Sequence, residues 1–260
     1  MLSNMHTRKN MQFKENELVL GTIIERYKRF LLDFKLDNAF KEYSCEQTLT
    51  AHLANTGSMK TCWEPDWKVL MTHSDDPKRK LKFSAQMISN GDSWIMVNTG
   101  LTNKIVQEGL ELGKFEELRG YDFFKSEVKI GKSRIDFLLS NKEIDKKDLK
   151  LEDPSFKYNF VEVKNVTLKV GDQAQFPDAV STRGQKHLEE LMAIKEQGHE
   201  ATMLYIVSRE DVKSFNVSDI DTEYKRLLIK AKEAGVQILA YQLNMNEKEI
   251  TVAKKLKIVL

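Results

Sequence analysis

Cysteine is nearly absent from this chain: Cys45 and Cys62 are the only two in 260 residues. Two cysteines make no disulfide framework, and they lack the C-x-x-C spacing of a structural metal site. Reduced thiols of a cytoplasmic protein are expected. No apolar run approaches the ~20 residues of a membrane span. The opening MLSNMHTRKNMQFKEN has basic residues but no apolar signal-peptide core, which again points to the cytoplasm. Charge of one sign is missing too. The 41 Lys and Arg stand against 39 Asp and Glu, and a net charge of +2 announces no polyanionic partner. A small basic surplus falls in the first 85 residues and is no more than a hint. Internal repeats and low-complexity tracts are absent. There is also no helix-turn-helix or zinc finger to read bases directly.

What is present reads as two globular units. Residues 1–10 are expected to form a flexible tail. The stretch ELVLGTIIERYKRFLLDFKL is apolar and β-branched, and strand-like pieces follow near 43–53, 67–72 and 79–88. Turn signals at Asp37-Asn38, Asn55-Thr56-Gly57 and Asp75-Asp76-Pro77 separate them. Five short strands over residues 11–85 fit an OB-type barrel, and also other small β folds. From residue 86 to 260 the expected class is α/β with a mixed sheet, in the order α-β-β-β-α-β-α-β from residue 102. Thr102 is the expected N-cap of the first helix, and Gly131-Lys132 the turn of a hairpin over 126–140. Residues 140–158 read as a charged loop. Thr182 and Gln185 are spaced as a capping box, with Gly198 as that helix's stop and 236–245 as the final strand.

The chemistry lies in NFVEVKNVT, residues 159–167. Residues two apart on a strand share a face, so Glu162 and Lys164 point one way and Val161 and Val163 the other. A carboxylate and an ammonium in an apolar strand are costly unless satisfied or used. The preceding strand, SRIDFLLS, carries another lone acid, Asp136. If the strands are neighbours, Asp136 and Glu162 converge into a hard oxygen site for Mg²⁺ or Mn²⁺. Lys164 would then orient a water or stabilise charge on a phosphate. The plain alternative is an edge-strand ion pair of little worth, with Asp136 solvated. An Asp followed by Glu-x-Lys is weak on spacing alone; it gains weight because both pieces lie in apolar strands between helices.

That arrangement resembles the PD-(D/E)XK phosphodiesterases, although Phe137 follows Asp136 and no proline precedes it. The chain as a whole resembles the sugar fermentation stimulation protein family, SfsA. The matching pieces are RYKRFL, NTGSM, DPKRKLKF, VNT, NKIVQEGL, GYDFFKSEVKIGKSRIDFLL, FVEVKNVTL and FPDAVSTRGQKHLEEL, in order over about residues 13–245. The resemblance implies an N-terminal OB fold and a C-terminal PD-(D/E)XK nuclease-like domain. It also implies a DNA-binding protein loosely tied to regulation of sugar use, with RNA left open as a partner. Asp136 and Glu162 are then the metal-ligand candidates and Lys164 the catalytic lysine. The Val163 carbonyl is a further ligand candidate, and Glu127 or Glu108 a third carboxylate, unless these two are surface acids. The 140–158 loop is longer than the family leads one to expect, and the tail is extra.

Arg183 and Lys186 would hold a phosphate near a helix N-terminus. Gln185 and His187 support that helix start, and Asp178 would organise the loop that enters it. On the barrel, Arg26, Lys28, Arg29, Lys78, Arg79 and Lys80 are expected to meet phosphates. Arg26, Lys28 and Phe30 would share a strand face, with Tyr27 or Phe30 in the core. Gly57 would supply a permissive φ. A metal-dependent nuclease is the leading expectation. A DNA-binding regulator that keeps the nuclease fold without cutting is the alternative.

Overall fold

The structure, a computed structural model, describes residues 11–14, 17–130, 133–145, 147 and 149–260. The expected flexible tail and the Gly131-Lys132 turn lie outside the described residues. A short strand β1 (Met11–Gln12) precedes the barrel strands β2 (Leu18–Tyr27), β3 (Leu31–Leu36), β4 (Leu49–His52), β5 (Lys68–His73), β6 (Phe83–Ser89) and β7 (Trp94–Met96). They pair in the order β4-β3-β2-β5-β6-β7, and β4 also pairs with β6. That last pairing closes a five-stranded barrel. Phe34, Phe83, Ile23 and Leu53 fill it. Gly21 has no room for a side chain, because a Cβ there would sit 2.7 Å from the Lys35 carbonyl oxygen.

The barrel differs from its sequence reading in three ways. RYKRF is not one strand: Lys28 and Arg29 turn the chain with φ of 46° and 62°. Lys28 and Phe30 therefore do not extend the face of Arg26, and Phe30 is 38% exposed instead of buried. The half-buried Tyr27 donates its hydroxyl to Asp33. Residues 77–82 form a turn before β6, so Lys78, Arg79 and Lys80 do not lie on a strand. The barrel sheet also runs past residue 85 to Met96, while Met11–Gln12 pair with a strand of the other sheet.

The second unit comprises α1 (Thr102–Glu111), β8 (Phe123–Ile130), β9 (Ser133–Ser140), β10 (Tyr158–Val166), β11 (Leu168–Val170), β12 (Gln173–Phe176), α2 (Thr182–Glu196), β13 (Glu200–Val207), β14 (Ser214–Val217), α3 (Thr222–Glu233), β15 (Gln237–Met245), β16 (Glu249–Lys255) and β17 (Lys257–Val259). The main sheet has the order β1-β16-β15-β13-β10-β9-β8, with β10, β13 and β15 parallel at its centre. Buried on both faces, these three strands are nearly continuous apolar runs. Helices α2 and α3 cover one face. Helix α1 covers the other, together with Leu70, Met87 and Met96 of the barrel. A small sheet, β11-β12-β14-β17, lies outside the expected element order. The strand read as final, β15, is followed by β16 and β17.

Arg209, only 2% exposed, fastens the barrel to this sheet. It donates to the Thr61 and Thr167 carbonyls and grips Asp211 through two nitrogens at 2.7 and 2.9 Å. Beside it the Met96 amide donates to the Ser208 carbonyl. Among the described residues no helix is long and apolar enough to cross a membrane.

Candidate functional site

Strands β9 and β10 pair antiparallel from Tyr158↔Ser140 to Val161↔Phe137. One step further along that register, Glu162 stands across from Asp136. The ladder stops there because β9 turns. Ile135 and Val128 join the core under α2, whereas Phe137 joins the core under α1. Glu127, across from Asp136 on β8, takes a positive φ of 54° at the same place. Asp136 thus projects into the gap between splayed strands, where its Oδ2 accepts the Val163 amide at 2.8 Å. Its Oδ1 accepts from Asn103 of α1 at 2.9 Å. The N–H and C=O of one strand residue point to the same side. The Val163 carbonyl therefore also faces this gap.

Glu162 is 3% exposed and points toward α2. Its Oε1 accepts from Lys164 Nζ at 2.6 Å and meets His187 Nδ1 of α2, while Lys164 Nζ lies 2.9 Å from the same imidazole nitrogen. These contacts fall on Oε1 and none on Oε2. Burial pushes the Glu162 carboxyl up, but the His187 hydrogen bond and the Lys164 charge outweigh it and hold the group below its ordinary range. Asp136 moves the other way: burial first, then the Glu162 charge, raises it. The two carboxyls are thus shifted in opposite directions, and the Glu162 charge is one cause of the Asp136 shift.

The other expected groups divide. Glu127 stands opposite Asp136, but its side chain faces Arg134 at 3.4 Å. Glu108 lies five residues beyond Asn103 on α1, about 140° around the helix from the residue that touches Asp136. Among the described residues no group of three or more His, Cys, Asp or Glu converges on one point. The donors here are two carboxylates and a carbonyl. Magnesium is commonly held by one or two carboxylates plus water and substrate phosphate, so this set fits a hard divalent cation.

Helix α2 starts differently from its sequence pattern. Ser181 is the N-cap, its hydroxyl accepting the Gly184 amide. Gln185 turns away to Asp221, the N-cap of α3. The helix stops as expected, with Gly198 at φ 87°. Arg183 reaches His187 at 3.5 Å, and Lys186 pairs with Glu190 on another side of the helix. Thr102 does not cap α1; its hydroxyl donates to Asn165. Asp178 accepts the amide and hydroxyl of Ser58 across the junction, at 2.6 and 3.1 Å, rather than bonding its own loop. Gly57 allows that approach, since a Cβ on it would lie 2.6 Å from Asp178 Oδ2; its φ is not in the left-handed range. On the barrel, Arg79 donates to Ser84. The pairings Leu31↔His52 and His52↔Ser84 bring that anchor within about 10 Å of the β2–β3 turn that carries Arg29. Asn103 was not singled out by sequence reasoning. Its side chain looks like any polar residue in the first turn of a helix.

The fold and site together define a two-part chain: a closed OB-type barrel docked on a mixed α/β sheet, in which neighbouring strands β9 and β10 carry the partly buried Asp136 and the buried Glu162 beside Lys164. The profile of the SfsA N-terminal OB domain matches residues 24–97, and that of the sugar fermentation stimulation protein RE domain matches residues 100–249. The chain belongs to the sugar fermentation stimulation protein family. It is 42% identical to the homolog from Geotalea uraniireducens (strain Rf4) over 240 residues, 92% of this chain and 95% of that one. It is 40% identical to the homolog from Pseudoalteromonas atlantica over 254 residues, covering 96% and 100% of the two. The solved structure of Pyrococcus furiosus SfsA in complex with Ca²⁺ superposes with a TM-score of 0.77 at 25% identity, over 97% of this chain and 99% of that one.

Proposed function

We propose that this protein binds nucleic acid and hydrolyses its phosphodiester bonds with a divalent metal, Mg²⁺ or Mn²⁺, at the Asp136–Glu162–Lys164 site of a PD-(D/E)XK-type domain. The observation that carries this reading is the placement of two oppositely shifted carboxyls, the partly buried Asp136 and the buried Glu162, at facing positions of β9 and β10 beside a lysine, where the strands splay. Asp136, Glu162 and the Val163 carbonyl would hold the cation, which supplies Lewis-acid polarisation of a phosphoryl oxygen. Asn103 and the Val163 amide fix the Asp136 carboxylate. His187 fixes Glu162 from above. Lys164 stands where its charge meets a phosphate oxygen or orients the attacking water. That the Pyrococcus furiosus relative was solved in complex with Ca²⁺ supports a hard-cation site. DNA is the favoured partner, with RNA an outcome of the test.

The non-cutting alternative has one observation in its favour: Lys164 is already engaged by Glu162 and His187. Purified protein on labelled single- and double-stranded DNA and RNA, with Mg²⁺, Mn²⁺ or chelator, decides between them. Metal-dependent products are expected on at least one substrate. Binding without products on all four leaves the regulator reading.

Binding should weaken steeply as salt rises, with a log–log slope of about −0.7 to −0.9 per phosphate contacted. Charge reversal at Arg26, Lys28, Arg29, Lys78 or Arg79 should flatten that slope, measured by anisotropy across a salt series. A slope unchanged by all five reversals would move the nucleic acid off the barrel.

A further inference from the structure

At the junction of the two units a cavity of about 570 Å³ opens between the β2–β3 turn and the loop leading into α2. Its size lies within the range of ligand-binding clefts, about 300–1,000 Å³. The two walls differ in chemistry. Arg26 and Arg29 form one; Phe176, Pro177, Ala179 and Val180 form the other. The arginines are fixed in advance, Arg29 on the Thr56 carbonyl and Arg26 on the carbonyls of Arg29, Gly57 and Ser58. The one acid in the lining, Asp178, is hydrogen-bonded to Ser58 across the floor. Val180 is 67% exposed, and Phe30, beside Arg29, is 38% exposed. A second cavity, about 220 Å³, shares Thr56, Gly57, Phe176 and Asp178 with the first and reaches Asn165, which follows Lys164 on β10 and turns its side chain to Thr102 of α1. Along α2, Ser181 at the cavity is six residues from His187, about 9 Å at 1.5 Å per residue.

We propose that this cleft receives a single strand of nucleic acid, phosphate on the Arg26–Arg29 wall and base against the Val180 wall, and delivers it to Lys164. The proposal rests on the phosphodiesterase reading and adds its substrate class: nucleic acid that is single-stranded where it is cut. A phosphate wall facing an apolar wall is how strands are held without reading sequence. A duplex is read by elements that protrude into its grooves. Here the nucleic acid must enter a recess whose floor is bridged by the Ser58–Asp178 contact.

The test is fluorescence anisotropy of the full chain with one labelled DNA oligonucleotide, single-stranded or annealed as a blunt duplex, in Ca²⁺ and in chelator. The single strand should bind about tenfold more tightly than the duplex, and Val180→Glu should weaken the single strand about tenfold. Val180 is exposed enough for that variant to fold. Arg29→Glu should act in the same direction, with thermal melts confirming both folds. Equal affinity for the two forms, or a Val180→Glu chain that binds the single strand like the native one, overturns the cleft and leaves the phosphodiesterase reading standing. A native chain that binds neither form overturns both.

Discussion

Replacing Lys164 by alanine, or Glu162 by glutamine, should abolish metal-dependent cleavage and leave nucleic-acid affinity near native. Each variant removes a charge proposed to act at the scissile phosphate, and a single preorganised electrostatic contact of this kind is worth about 10²–10³ in rate. Binding depends on many phosphate contacts spread along the strand, so losing one interior group changes it little. Glu162→Gln is the cleaner change. Its amide has the size of the carboxyl and keeps partners in Lys164 and His187, so the 3% exposed position stays filled and bonded. Lys164→Ala leaves Glu162 buried against His187 alone, so its melting temperature should be read alongside its rate. Initial rates and anisotropy on the same substrate check both variants. Cleavage that persists in both would place the chemistry away from β10.

Much of this site was legible in the sequence because the period of a strand is rigid. Glu162 and Lys164 had to share a face, and Val161 and Val163 had to take the other. That Asp136 stands beside them follows from antiparallel neighbours in sequence. The splay was not legible: it shows only as a failed alternation between Ile135 and Phe137 and a positive φ at Glu127, where no glycine marks the spot. His187 and Asn103 meet the carboxylates through helices packed on opposite faces, and tertiary placement leaves no local trace. The β2–β3 turn was missed for a related reason. Lys28 and Arg29 adopt a left-handed turn without the Asn-Gly or Asp-Gly that announces one. Strands of three or four residues, such as β11, β12 and β17, are too short for periodicity to register. Arg209 and Asp211, in SRED, have no local pattern that would place a charge inside, and only the docked barrel buries the arginine.

Arg209→Met should therefore be the most destabilising single change, costing about 3–5 kcal/mol, the usual result of removing one partner from a buried pair. Methionine keeps much of the length but leaves the Thr61 and Thr167 carbonyls and Asp211 without their donor. Lys169, 2.7 Å from Asp211, compensates in part and sets the expectation toward the lower end. The loss should also depend on pH in a definite direction. Burial raises the Asp211 carboxyl, but the Arg209 and Lys169 hydrogen bonds outweigh it and bring the group down to about 2. A folded pKa below the unfolded value of about 3.9 gives stability that is fully present above that value and is lost as pH falls through the folded one. The native chain carries this increment and the variant, with Arg209 gone, carries less of it. Denaturant titrations should show the widest gap between them above about pH 5, narrowing toward pH 2. A gap that stays constant over that range would mean that Arg209 holds the barrel through its carbonyl contacts alone and that its charge on Asp211 contributes nothing.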